Sequence, residues 1–150
     1  MTAGSATQRP LATVGALIVG PSGRVLLIRT HKWRDRWGVP GGKIEYGETM
    51  AAAVRREVRE ETALEIHDIR WAPVQEAVES SAFHRPAHFV LLNFVARSAS
   101  ERVRLNDEAQ AYAWVEPEEA PTMDLNPPTV VLVRYYLERG FDTPPLERHG

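Results

Sequence analysis

The sequence predicts a single α/β domain, and three features point to it. His88 to Ala96 (HFVLLNFVA) is apolar enough for a strand at the centre of a sheet. Two further apolar stretches, Thr13 to Val19 and Arg24 to Arg29, flank Pro21-Ser22-Gly23, whose turn chemistry suggests a hairpin. Two helix signals stand well apart in the chain, Thr49 to Thr62 and Val130 to Arg139.

Composition bounds the reading. The 150 residues can bury one core, and 43% hydrophobic with 25% charged content is that of a globular protein. A net charge of −2 gives no electrostatic reason to expect nucleic acid or an anionic membrane as partner. Absence of cysteine excludes disulfides, thiol nucleophiles and cysteine-based zinc sites. No apolar run approaches the ~18 residues of a membrane span. The start, MTAGSATQRP, lacks the apolar segment of a secretory signal, so the expected location is cytoplasmic. Residues 1–10 are expected to be a disordered lead-in, 11–140 the folded domain, and 141–150, with Pro144 and Pro145, a loose tail.

Between the first two strands and the helix, HKWRDRWGVPGG reads as an irregular loop, followed by a short extended piece from Lys43 to Tyr46. Thr49 is a plausible N-cap, and Ala51, Val54 and Val58 supply an apolar stripe. Leu64–Ile66 and Ile69–Val74 read as strand material, whereas Gln75–Arg85 reads as loop. A polar link from Arg97 to Gln110 leads to a short strand, Ala111–Val115. Pro117–Ala120 suits one helical turn, and Asn126-Pro127-Pro128 has the cap and first-turn prolines of the last helix.

Gly41 to Leu64 (GGKIEYGETMAAAVRREVREETAL) carries the chemistry. At helical spacing Glu57, Glu60 and Glu61 project within about 100° of one another. Each like-charged pair costs roughly 0.2–0.5 kcal/mol, and the helix C-terminus also disfavours negative charge. A cation would offset both penalties. An acidic helix face is more often simply solvated, so spacing has to decide. Gly42, Glu48 and Arg56-Glu57-Val58-Arg59-Glu60-Glu61-Thr62-Ala63-Leu64 follow the pattern G-x5-E-x7-R-E-U-x-E-E-x-G-U, where U is aliphatic. This resembles the Nudix box of the MutT/Nudix hydrolases, departing only at Ala63, where the family has glycine. A chance match of this kind is expected on the order of once in a million sequences of this length.

The resemblance implies an α/β/α sandwich, with a mixed, curved sheet between the box helix and a C-terminal helix. It implies metal-dependent hydrolysis of a nucleoside diphosphate linked to another moiety. By the same resemblance Glu57, Glu60 and Glu61 would bind Mg²⁺ or Mn²⁺ with the Gly41 carbonyl. Arg56 would hold Glu48 at the loop–helix corner, and a downstream acid would assist. Glu108 is the best-placed such acid, with Asp107 and Glu101 as neighbours.

Substrate contacts are expected from Arg29 and Trp33, while Trp37 reads as packing. Asn126 resembles the asparagine that reads the base in MutT-type triphosphatases, though its position suits a helix N-cap somewhat better. His84 and His88 have no nucleophile to pair with, so a catalytic role is not expected of them, and a substrate contact from His31 in the loop is a minor alternative.

A domain without long insertions favours (d)NTP pyrophosphohydrolysis, releasing NMP and pyrophosphate. ADP-ribose and dinucleoside polyphosphates stay open, although the tyrosine and proline that mark many such enzymes beyond the box are missing. A non-catalytic ligand-sensing relative is expected to have lost a box glutamate, and here none is lost. An interaction domain whose acidic helix meets a basic partner is a further alternative. Many relatives are dimers, so a homodimer is left open.

Overall fold

A computed structural model describes residues 8–148. Its strands are β1 (Leu11–Val19), β2 (Val25–Thr30), β3 (Arg36–Gly38), β4 (Gly41–Lys43), β5 (Ile66–Trp71), β6 (Gln75–Val78), β7 (His88–Ser98) and β8 (Ala111–Val115). Its helices are α1 (Met50–Thr62) and α2 (Pro127–Arg139). One mixed sheet contains all eight strands. β1 and β7 run parallel along its middle, from Leu11↔Phe89 to Val19↔Arg97, and the other pairings are antiparallel.

Alternation along β1 sorts its side chains between two cores. Val14, Ala16 and Ile18 face α1, packing with Ala53, Val54, Val58 and Phe94. Leu17 and Val19 face α2, packing with Leu27, Val95, Leu132 and Val133. The result is an α/β/α sandwich with fully buried aliphatic side chains on both sheet faces.

Both middle strands are flanked by paired short segments. β1 meets β4 near its start (Thr13↔Lys43 to Gly15↔Gly41) and β2 at its end (Val19↔Val25). The free edge of β7 takes β6 along residues 88–91 and β5 along 94–98. β6 corrects the expected loop at 75–85. Only Ala77 of this edge strand is buried, so its polar composition conceals it. β3, in the expected loop at 31–42, was equally hidden, being three residues long. β5 is one strand with an irregularity between His67 and Arg70, where Asp68 takes φ +50°.

α1 matches its expected bounds, with Thr49 Oγ1 accepting the Ala52 N–H at 3.1 Å. Ala53 rather than Ala51 is the buried alanine of its stripe. Ala63 ends the helix in the left-handed region (φ 64°, ψ 13°), its N–H donating to Arg59 O at 2.9 Å. It therefore accepts the strain that the usual glycine avoids, roughly 1–2 kcal/mol.

The expected loose tail is a second correction. Leu146 N donates to Ile69 O at 2.9 Å and Trp71 N donates to Pro144 O at 3.0 Å, while Arg70 and Pro145 form a β-bridge. Residues 144–146 thereby cover β5's outer edge, and the two prolines suit a bordering segment that does not continue the ladder. Of the expected disordered lead-in, residues 1–7 lie outside the described residues, and 8–10 precede β1 without regular structure.

Candidate active site

The site begins with a close approach between backbone and helix. Gly41 lies opposite Gly15 across β1 and β4, and a Cβ at Gly41 would overlap the Val14 carbonyl. A Cβ at Gly42 would stand 2.6 Å from both Glu57 carboxylate oxygens. Two consecutive glycines let β4 lie against β1 on one side and accept the helix acids on the other. Gly41 N–H then donates to Glu61 Oε2 at 3.0 Å.

Arg56 organises the opposite side. Its Nε and Nη2 donate to the two Glu48 oxygens at 2.6 and 2.8 Å, a bidentate pair. Nη2 also donates to Lys43 O at 3.1 Å, and Nη1 to Glu57 Oε1 at 2.8 Å and Glu60 Oε2 at 3.3 Å. One guanidinium thus ties β4, the turn before α1 and two helix acids together. The hydrogen bonds from Arg56 hold the Glu48 carboxyl down at about 2, and Glu48 in turn raises the Arg56 pKa.

Single carboxylate oxygens of Glu57, Glu61 and Glu108 lie within 4.8 Å of one another. Glu61 is only 3% exposed. Burial, reinforced by the charges of Glu57 and Glu108 and a hydrogen bond with Glu57, pushes its pKa up to about 9. Lys32 stands beside the group, its Nζ 3.6 Å from Glu108 Oε1. Glu60, by contrast, has a 53% exposed side chain, engages Arg56 and lies outside the trio. Glu101 also belongs elsewhere, accepting the Ser22 N–H at 2.8 Å.

A cavity of about 520 Å³ opens beside these acids. Its lining includes Glu57, Glu108, Gly41, Gly42, Lys32 and Lys43 together with the apolar Trp33, Phe83, Phe89, Leu91, Val39 and Leu132. Asn93, Asn126, Thr13 and Thr129 add polar groups. Trp33 meets Phe83 edge-on at 4.9 Å, so it packs and faces the cavity at once. Asn126 also does both: its Oδ1 accepts the Thr129 N–H at 3.0 Å, capping α2, while the residue lines the cavity.

Of the expected substrate contacts, Arg29 is outside this lining. Its guanidinium lies 5.7 Å from the Trp37 ring centre, and its buried Nε has no hydrogen-bond partner among the described residues. Lys32, Lys43 and Asn93 are among the lining residues that went unread in the sequence. Lys32 and Lys43 are the chain's only lysines against many arginines, and both face the cavity. Asn93 is the lone polar residue inside HFVLLNFVA, an interruption that marks a buried polar group with a task.

Comparison with known proteins places the chain in a family. The chain matches the NUDIX domain over residues 9–136. It is 36% identical over 97 residues to the nucleoside triphosphatase NudI of Salmonella schwarzengrund (strain CVM19633), covering 61% of this chain and 69% of that one. A MutT NUDIX hydrolase from Burkholderia pseudomallei superposes with TM-score 0.73 at 26% identity, over 85% of this chain and 98% of that one. The NUDIX domain of Shewanella oneidensis NrtR, solved with ADP ribose, shares the fold at TM-score 0.74 and 20% identity, over 93% and 99% of the two chains. Domain match, sandwich and glycine–glutamate–arginine corner agree, and the chain belongs to the Nudix family as a Nudix hydrolase.

Proposed function

We propose that this protein hydrolyses nucleoside triphosphates to the monophosphate and pyrophosphate. The observation that carries the reading is one cavity whose lining combines two kinds of chemistry. An acidic group with Lys32 beside it suits a metal-bound polyphosphate, and aromatic and aliphatic walls with buried amides suit a nucleoside. Similarity to a protein named nucleoside triphosphatase supports the substrate class.

The residues present fit a divalent cation. Three carboxylates share one small volume, and Glu61 is buried where ionisation is costly unless a positive charge is nearby. Such oxygen-only donors suit Mg²⁺ or Mn²⁺. Glu57, Glu61 and Glu108 would hold the cation, with the Gly41 carbonyl as a further oxygen and Glu60 at the outer edge. When bound, it neutralises charge on the phosphate oxygens and acidifies coordinated water.

The chain's own groups do the rest. Arg56 keeps Glu57 oriented and fixes the Glu48 corner, so the acids keep their spacing as charge changes. Lys32 and Lys43 bring positive charge to the cavity wall where the phosphates would lie. Trp33, packed edge-on against Phe83, gives the cavity an apolar wall next to Lys32 in the chain. Attack by water forms one P–O bond and breaks the bridging P–O bond, and a carboxylate of the acidic group accepts the water's proton.

The test is turnover of the eight common ribo- and deoxyribonucleoside triphosphates with Mg²⁺, with products identified by chromatography. NMP plus pyrophosphate, abolished by chelator, is the expected result. ADP-ribose or a dinucleoside polyphosphate turned over in preference to every triphosphate would overturn the assignment.

A further inference from the structure

Two buried asparagines from distant segments line the same cavity, each 4% exposed. Asn93 lies on β7 with Gly15 as its partner on β1. Its Nδ2 donates to Pro73 O at 3.1 Å. Since a carbonyl can only accept, the amide orientation is set, and Oδ1 is the atom left for another partner. Oδ1 lies 3.5 Å from where a Gly15 Cβ would stand, so the missing side chain there leaves it uncovered. Asn126 is the mirror case. Its Oδ1 is held by the Thr129 N–H at 3.0 Å, which leaves Nδ2 as the free donor, close over Gly38.

The cavity thus offers one acceptor and one donor on side chains that cannot flip without losing a buried hydrogen bond. No hydrogen bond within the described residues uses either atom. Each unmatched group favours a ligand that supplies its partner, so an edge carrying an N–H suits Asn93 Oδ1 and an edge carrying an acceptor suits Asn126 Nδ2. Planar heterocycles have such edges, and Trp33, Phe83, Leu91 and Leu132 supply the apolar surfaces a ring needs.

We propose that Asn93 is a further specificity-determining residue, accepting an N–H of the nucleobase through Oδ1, beside the base contact already expected of Asn126. This rests on the nucleotide reading above, but it concerns binding and does not require hydrolysis. Gly15 takes part by leaving Oδ1 open, and β1–β7 pairing brings the two together.

The experiment is calorimetric binding, without metal, of the four deoxynucleoside monophosphates and of deoxyribose 5-phosphate, which lacks a base. Wild type is expected to bind its preferred nucleotide at least 10-fold more tightly than deoxyribose 5-phosphate. Asn93→Leu should weaken the nucleotide about 10-fold, the cost of one buried hydrogen bond, and leave deoxyribose 5-phosphate unchanged. Gly15→Ala covers the same need if Asn93→Leu fails to fold. Its methyl makes contacts of 3.4–3.5 Å to Val39, Asn93 and Pro40, within ordinary van der Waals range, and masks Oδ1 with the Pro73 bond intact. Asn126→Asp keeps the helix cap and replaces the donor with an acceptor, so it should weaken the same nucleotide. In turnover, each change should raise KM with kcat little altered.

A nucleotide bound no more tightly than deoxyribose 5-phosphate overturns the proposal, as does unchanged nucleotide affinity in Gly15→Ala. Base-dependent binding that Gly15→Ala weakens, in a protein that hydrolyses no triphosphate, overturns the hydrolase assignment and leaves this one standing.

Discussion

Replacing Glu61 with Gln should make the metal-free protein more stable while removing its activity. Glu61 is 3% exposed and accepts the Gly41 N–H, with Glu57 and Glu108 as its acidic neighbours. Its pKa rises from 4.5 to about 9, chiefly through burial. A folded value above the unfolded one means that stability is fully present below pH 4.5 and is lost as pH rises towards 9. At about 1.4 kcal/mol per pH unit, the loss reaches about 3 kcal/mol by pH 7. Glutamine has the shape of the protonated acid: its oxygen can accept from Gly41 and its amide can donate to Glu57. It does not titrate, so Glu61→Gln avoids that loss. In a chain of this length the difference corresponds to about 6–12 °C in Tm at pH 7 and about 2 °C at pH 5. Thermal melts of the two proteins from pH 5 to 8 with chelator present would measure it. Saturating Mg²⁺ should close the gap by stabilising the wild type, because a cation takes the place of the proton. Parallel Tm–pH curves, or equal stabilisation of both proteins by Mg²⁺, would refute the reasoning.

Other substitutions test the rest of the corner. Glu57→Gln should lower kcat by several orders of magnitude with the fold retained by circular dichroism; near-normal turnover would contradict its place at the site. Arg56→Lys loses the planar fork that holds Glu48, so it should cost about 2 kcal/mol in denaturant unfolding and lower kcat as well. Glu48, held at about 2 by Arg56, contributes stability that is complete above pH 4.5 and is lost as pH falls through 2, so acid titration of Glu48→Gln should lack that component. Ala63→Gly should relieve the left-handed strain and add up to about 1 kcal/mol, read from the urea midpoint, without changing turnover.

The acidic helix could be read from the chain because helical periodicity is a local rule. The spacing of Glu57 and Glu61 already places them on one face, and Thr49 and Asn126 announce the two helix starts through their own chemistry. Arg56 and Glu48 sit eight residues apart, within reach of one turn-and-helix corner. β6 and the docked tail were not legible because their pairing belongs to β7 and β5, not to their own composition.

The same division runs through the site. Sequence by itself determined the Nudix corner and the sandwich around it. Tertiary structure decided that Glu108 joins Glu57 and Glu61, that Glu60 turns to Arg56, and that Arg29 lies against Trp37 outside the cavity. It also decided that Asn93 faces the cavity beside Gly15, since those residues meet only through the β1–β7 register. Short-range spacing follows from helix geometry, whereas convergence of remote segments depends on how two cores pack a sheet between them.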